Sequence, residues 1–168
     1  MQVFKVLLAL VLVTGLTACA EKPSSKFRTY DGPEVTQLLV TKADRKLYLL
    51  HGNRALKIYD IALGAEPAGH KRFEGDMKTP EGLYWIDRRN PESAFHLSLG
   101  ISYPNKVDTA YASTKGKDPG GEIFIHGQAG WHIGRPVDWT EGCIAVTDDE
   151  IEEIYAMVTN GTPILILP

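Results

Sequence analysis

VTQLLVTKADRKLYLLHGNRALKIYDIAL, Val35 to Leu63, is the stretch that decides the fold. Val35 to Thr41 reads as a strand, Lys42 to Arg45 as a polar turn, and Lys46 to Leu50 as a second strand. His51-Gly52-Asn53-Arg54 turns the chain again, and Ala55 to Leu63 forms a third strand. Outward from this meander, Gly64 to Gly82 is a loop rich in Gly and Pro, and Leu83 to Asp87 a short strand. Apolar residues alternate strictly from Phe95 to Ile101, which predicts a half-buried strand. Lys115 to Gly121 reads as loop, and Glu122 to His126 as another strand. One helix is predicted, near the end. Thr147-Asp148-Asp149-Glu150 fits a capping box, and Ile151, Ile154, Tyr155 and Val158 then share one helical face. Asn160-Gly161 stops that helix, and Pro163 to Leu167 returns as a strand. Many short strands with one C-terminal amphipathic helix predict a mainly β (α+β) domain, a sandwich or partly closed barrel.

Upstream of the meander the composition changes. Lys5 precedes a nearly continuous apolar run from Val6 to Val13, and small residues lead to Leu16-Thr17-Ala18-Cys19. Residues 1–18 read as a signal peptide, and the run is too short and wrongly flanked for a spanning helix. The site resembles a bacterial lipobox, which implies lipidation of Cys19 and a membrane tether. Ala20 after the cysteine, in place of Asp, implies the outer membrane of a periplasm-facing lipoprotein. Residues 19–34 would be the lipidated N-terminus and tether, with Lys22 to Gly32 largely polar and containing Pro, Ser and Gly. Residues 35–168 would be one folded domain with a single core. With 18 basic and 21 acidic residues the formal charge is −3, and the charges are interspersed. No basic stripe or aromatic-basic interleaving points to nucleic acid.

With Cys19 committed to the leader, Cys143 is a lone thiol in an exported protein, where an unpaired cysteine needs a reason. It lies in Trp139-Thr140-Glu141-Gly142-Cys143-Ile144, seventeen positions after His126 at the end of the strand-like Ile123-Phe124-Ile125-His126-Gly127. A thiol is the best soft nucleophile near neutral pH, but only as thiolate, so it needs a base or cation nearby. His126 could take its proton and return it to a leaving amine. Backbone N–H groups at Gly142 and Cys143 could stabilise an oxyanion; Thr140, which could position the loop or hydrogen-bond the reacting group, and Gly127 join Gly142 as candidate oxyanion or substrate-positioning residues. Read alone, His126 is an ordinary strand histidine. His96 alternates with apolar residues onto a solvent face, and His51 at a turn and His70 in a loop are expected to be exposed. Trp131 and Trp139 could be substrate-stacking walls or loop-pinning core residues, and His132 a second imidazole. A competing class is a zinc-binding surface lipoprotein using His126, His132 and Cys143. That spacing matches no compact zinc motif, and no other cofactor is implied.

Three blocks together resemble the L,D-transpeptidase (YkuD-type) family. They are Gly69-His70-Lys71 running through Glu74-Gly75-Asp76 to Lys78-Thr79-Pro80-Glu81-Gly82-Leu83-Tyr84; His126-Gly127; and Thr140-Glu141-Gly142-Cys143-Ile144. The resemblance covers Val35 to Pro168. It implies the family's β fold, a Cys143 nucleophile with a His126 base, no cofactor, and peptidoglycan stem peptides as substrates. The family reaction would give a crosslink or an attached lipoprotein; a hydrolase that trims stems or releases a peptidoglycan-attached lipoprotein is the alternative. Ala145 departs from the family pattern, which usually has Arg or Asn there, and Arg135 or Lys78 could replace that charge.

Overall fold

The computed structural model describes residues 25–130 and 138–168. The expectations for residues 1–18, Cys19, Trp131, His132 and Arg135 therefore lie outside the described residues.

The meander forms as read. β1 (Gln37–Thr41) pairs antiparallel with β2 (Lys46–His51), and β2 with β3 (Arg54–Asp60). On the other side of β1 lie β4 (Gly82–Asn90), β5 (Ser98–Ile101), β6 (Phe124–His126), β7 (Ile144–Ala145) and β8 (Pro163–Leu167). Together they make one eight-stranded sheet in the order β3-β2-β1-β8-β4-β5-β6-β7. The chain leaving β3 then bridges to the far edge, Ala62 to Ala145 and Gly64 to Thr140. The sheet is thus curled into a half-barrel, and the closure lies beside Cys143.

Alternation explains the core. Register places Leu49, Leu38, Ile164 and Tyr84 at one level across β2, β1, β8 and β4, and all four are buried. Each such side chain contributes roughly 1.5–3 kcal/mol by leaving water. Their neighbours on the opposite face, such as Leu83 and Leu165, stay half exposed.

The predicted helix is α2 (Asp148–Met157), with the Thr147–Glu150 capping box formed in both directions. Ile151, Ile154, Tyr155 and Val158 are buried as expected. A second helix, α1 (Lys106–Thr114), corrects the one-helix reading. Its sequence hides it, because only Asp108 and Ala112 are buried and Val107 is 72% exposed, so no apolar stripe marks it. Asn105 caps it and Asp108 reaches back to the Asn105 N–H, a capping box built from Asn and Asp.

The strand expected from Phe95 to Ile101 begins only at Ser98 and is buried on both faces. The reason is local: Arg88 covers the Gly100 face, where a Cβ would stand 2.4 Å from Arg88 Cγ. His96 precedes the strand with φ +74° and binds Glu152 at 2.8 Å, so it is no solvent-face strand residue. His70 is also not exposed: its Nε2 meets Asp108 at 2.9 Å and its Nδ1 accepts from the Glu81 N–H at 2.8 Å. His51 is exposed, as read.

Candidate active site

β6 delivers His126 opposite Ser98 of β5, with Ile125 turned to the core. The His126 Nδ1 lies 2.6 Å from the Gly127 carbonyl. A carbonyl can only accept, so Nδ1 carries the ring proton and Nε2 keeps a lone pair. Phe95 stacks on the imidazole (centroids 4.5 Å apart, 29° between planes), and Trp139 meets it edge-on at 5.7 Å. Those two rings leave His126 3% exposed, and burial pushes its pKa below the ordinary value, against an upward pull from the Gly127 carbonyl.

The loop after His126 is fixed from α2. Asp148 Oδ1 accepts from the N–H groups of Gln128 (2.7 Å) and Ala129 (2.9 Å), and Oδ2 from that of Gly130 (3.1 Å). The carboxylate sits at the first residue of the helix, where the free N–H groups also favour negative charge. Gly127 admits this arrangement, since a Cβ there would stand 2.5 Å from Asp148 Oδ1. Its own N–H donates to the Leu97 carbonyl, so Gly127 serves the histidine rather than presenting a donor to the cavity.

Cys143 arrives on the loop before β7. Thr140 organises that loop: its hydroxyl donates to the Cys143 carbonyl at 2.7 Å and accepts the Gly142 N–H at 3.2 Å. The Gly142 N–H, expected as an oxyanion donor, is therefore engaged with Thr140. What position 142 requires is glycine's backbone: φ is +133°, and a Cβ would meet the Lys78 carbonyl at 2.6 Å. Trp139 and Thr140 both donate their N–H to the Leu63 carbonyl at 3.1 Å. Asp138, just before them, accepts from the Leu63 N–H and pairs with Arg45 at 2.6 Å.

Cys143 is a free, half-buried cysteine whose Sγ lies 3.5 Å from the Glu122 carbonyl. Burial pushes its pKa up, while the Phe124 backbone N–H and the Lys71 ammonium pull it down. Cys143, His126, Trp139 and Thr140 line one cavity of about 500 Å³, together with Lys71, Phe95, Glu122 and Glu141. A thiol and an imidazole whose Nε2 can accept a proton line one cavity. That is the equipment for nucleophilic acyl transfer.

The other predicted residues fall as follows. Lys78 does not line the cavity; its ammonium donates to the Ala68 carbonyl at 2.5 Å. Ala145 is buried in β7, hydrogen-bonded to Ala62 on one side and in register with His126 on the other. Of the residues weighed as zinc ligands, His126 and Cys143 are at the cavity. Among the described residues no group of three or more His, Cys, Asp or Glu is placed to hold a metal. Sequence reading missed Phe95, Asp148 and Lys71. Only Lys71 carried a signal, because it stands in the first motif block.

A curled sheet presenting a cysteine and a histidine on adjoining strand ends defines the class, and residues 36–166 match the model of the YkuD L,D-transpeptidase catalytic domain. The chain belongs to that family. It is 29% identical over 133 residues to the putative L,D-transpeptidase YafK of Escherichia coli, covering 77% of this chain and 48% of that protein. Among solved structures it resembles the helical cell shape determining protein Pgp2 from Campylobacter jejuni. That match has TM-score 0.60 and 26% identity, over 80% of this chain and 51% of that one. An L,D-transpeptidase from Mycobacterium smegmatis shares the fold at TM-score 0.55 and 14% identity, over 80% and 59% of the two chains. The chain spans about half the length of the relatives it matches.

Proposed function

We propose that this protein is a cysteine acyltransferase acting on peptidoglycan stem peptides. The observation that carries the reading is the state of His126: its Nδ1–H is spent on the Gly127 carbonyl, which leaves Nε2 as the base in the cavity that Cys143 shares. The thiol turns from the Glu122 carbonyl to His126 and gives Nε2 its proton. The thiolate attacks the carbonyl of the L-configured centre of the diamino acid at position three of the stem. The negative charge passes to the carbonyl oxygen, where the Cys143 N–H stabilises it; one such donor is worth about 3 kcal/mol in other acyl-transfer enzymes. Collapse expels terminal D-Ala, whose amine takes the proton from the imidazolium, and leaves a thioester. An arriving amine or water then attacks the thioester, gives His126 a proton and regains the thiol by the reverse route. The N-terminal Cys19 would hold the enzyme by lipid at the periplasmic face of the outer membrane.

Water as the acceptor is the second reading. Position 145 is buried in the sheet and carries a methyl group, so no anchoring charge stands there. Loss of an acceptor's anchor hurts transfer to an amine more than transfer to water, which needs no binding site. Incubating the protein with defined muropeptides and with lipoprotein-bearing peptidoglycan, followed by mass spectrometry, separates the two. Crosslinked dimers or attached lipoprotein support the transferase. Shortened stems or released lipoprotein without dimers establish the hydrolase, and no product from correctly folded enzyme overturns both.

A further inference from the structure

Lys71 is 3% exposed, yet it lines the same cavity as Cys143. Besides His126 it is the one basic side chain among the described lining residues. Its ammonium has three donors, of which two go to the Phe73 carbonyl (3.1 Å) and Asp76 Oδ1 (2.9 Å). Asp76 is shared out. It also accepts from the N–H groups of Arg72 (2.7 Å), Phe73 (3.0 Å) and Lys78 (3.1 Å). Three backbone donors hold the Asp76 carboxylate in place and ionised, so it anchors the ammonium. Lys71 lines the cavity and Asp76 does not, so the positive member of the pair is the one presented to the space that holds the sulfur.

We propose that Lys71 is the positioning residue that supplies the positive charge for the Cys143 thiolate, held by Asp76 on the loop between β3 and β4. The proposal rests on the acyl-enzyme reading of Cys143. The remaining charged groups at the cavity work against the thiolate: Glu74, Glu122 and Glu141. Glu122 is partly drawn off by Arg88 at 3.0 Å. No other described lysine or arginine lines the cavity, and Lys78 is bound to the Ala68 carbonyl. The downward pull of Lys71 on the Cys143 pKa agrees with this geometry.

The test is the pH profile of Cys143 alkylation by iodoacetamide, a neutral reagent that needs no substrate site. Lys71→Met should move the profile to higher pH and slow alkylation about fivefold at neutral pH, and Lys71→Arg should restore it. Asp76→Asn should do the opposite, moving the profile to lower pH, because it removes the lysine's counter-charge and leaves the ammonium in place. Opposite signs are the signature, since a merely structural role would give both variants the same direction of change. If Lys71→Met does not fold, Asp76→Asn still decides: faster alkylation at low pH supports the proposal. An unchanged or upward-shifted profile in folded Asp76→Asn overturns it, as does an unshifted profile in folded Lys71→Met. Failure here leaves the acyl-enzyme standing, which is tested separately with acylating substrates.

Discussion

His126 and His70 are held in the same domain with opposite consequences. His70 lies in the loop after β3, donates from Nε2 to Asp108 and accepts at Nδ1 from the Glu81 N–H. Asp108 also takes the Tyr84 hydroxyl at 2.9 Å and caps α1, so this histidine ties a long loop to a helix that has little apolar face of its own. His126 is the more buried of the two, yet its Nε2 keeps a lone pair, and the cavity it lines also holds the Cys143 thiol. The difference is one hydrogen bond. Burial does not decide which imidazole can do chemistry; an account of both ring nitrogens does.

Breaking each histidine should separate the two roles. His126→Ala is expected to stay folded and to acylate at least about 100-fold more slowly, as loss of a general base would require. Stopped-flow acylation with circular dichroism as a folding check measures it. His70→Ala should invert the pattern. It leaves Asp108 Oδ1 and the Glu81 N–H without their partner, which costs about 2–4 kcal/mol in urea unfolding, while the folded fraction acylates near the normal rate. Tyr84→Phe sharpens the same side of the comparison with a smaller loss of about 1 kcal/mol, because Asp108 keeps His70 and the Asn105 N–H.

A pH series adds a sign. The folded pKa of His126 lies below its unfolded value of about 6.5 because burial disfavours the imidazolium. The unfolded state therefore binds the proton first as pH falls. Stability from this group is complete above about pH 6.5 and is lost as pH drops through the folded pKa. Urea titrations from pH 8 down to 5 should show that decline in the wild type, and His126→Asn should lack that component.

Much of the fold is legible in the sequence. The meander, the Thr147–Glu150 cap and the β8 return follow from period-two patterning and local capping chemistry, which need no partner to be read. Spacing and motif singled out Cys143 and His126, which line one cavity. The role of His70 was not legible, because its partners come from Asp108 and Glu81, and sequence distance conceals a hydrogen bond. α1 was hidden for a related reason: its stability comes from Asp108 fastened to His70 and Tyr84, not from an apolar stripe. Phe95 and Asp148 escaped notice because each acts on the His126 segment from another element. Lys71 stood in a recognised block, but only the fold shows that its ammonium lines the cavity of a cysteine 72 positions away.

The most direct test of the central claim is intact-protein mass spectrometry after exposure to a carbapenem, comparing wild type, Cys143→Ser, His126→Ala and His70→Ala. The account predicts one covalent adduct mapped to Cys143 in the wild type and in folded His70→Ala. It predicts a slowly forming adduct in His126→Ala and none in Cys143→Ser. An adduct on another residue, or His126→Ala acylating at the wild-type rate, would contradict it.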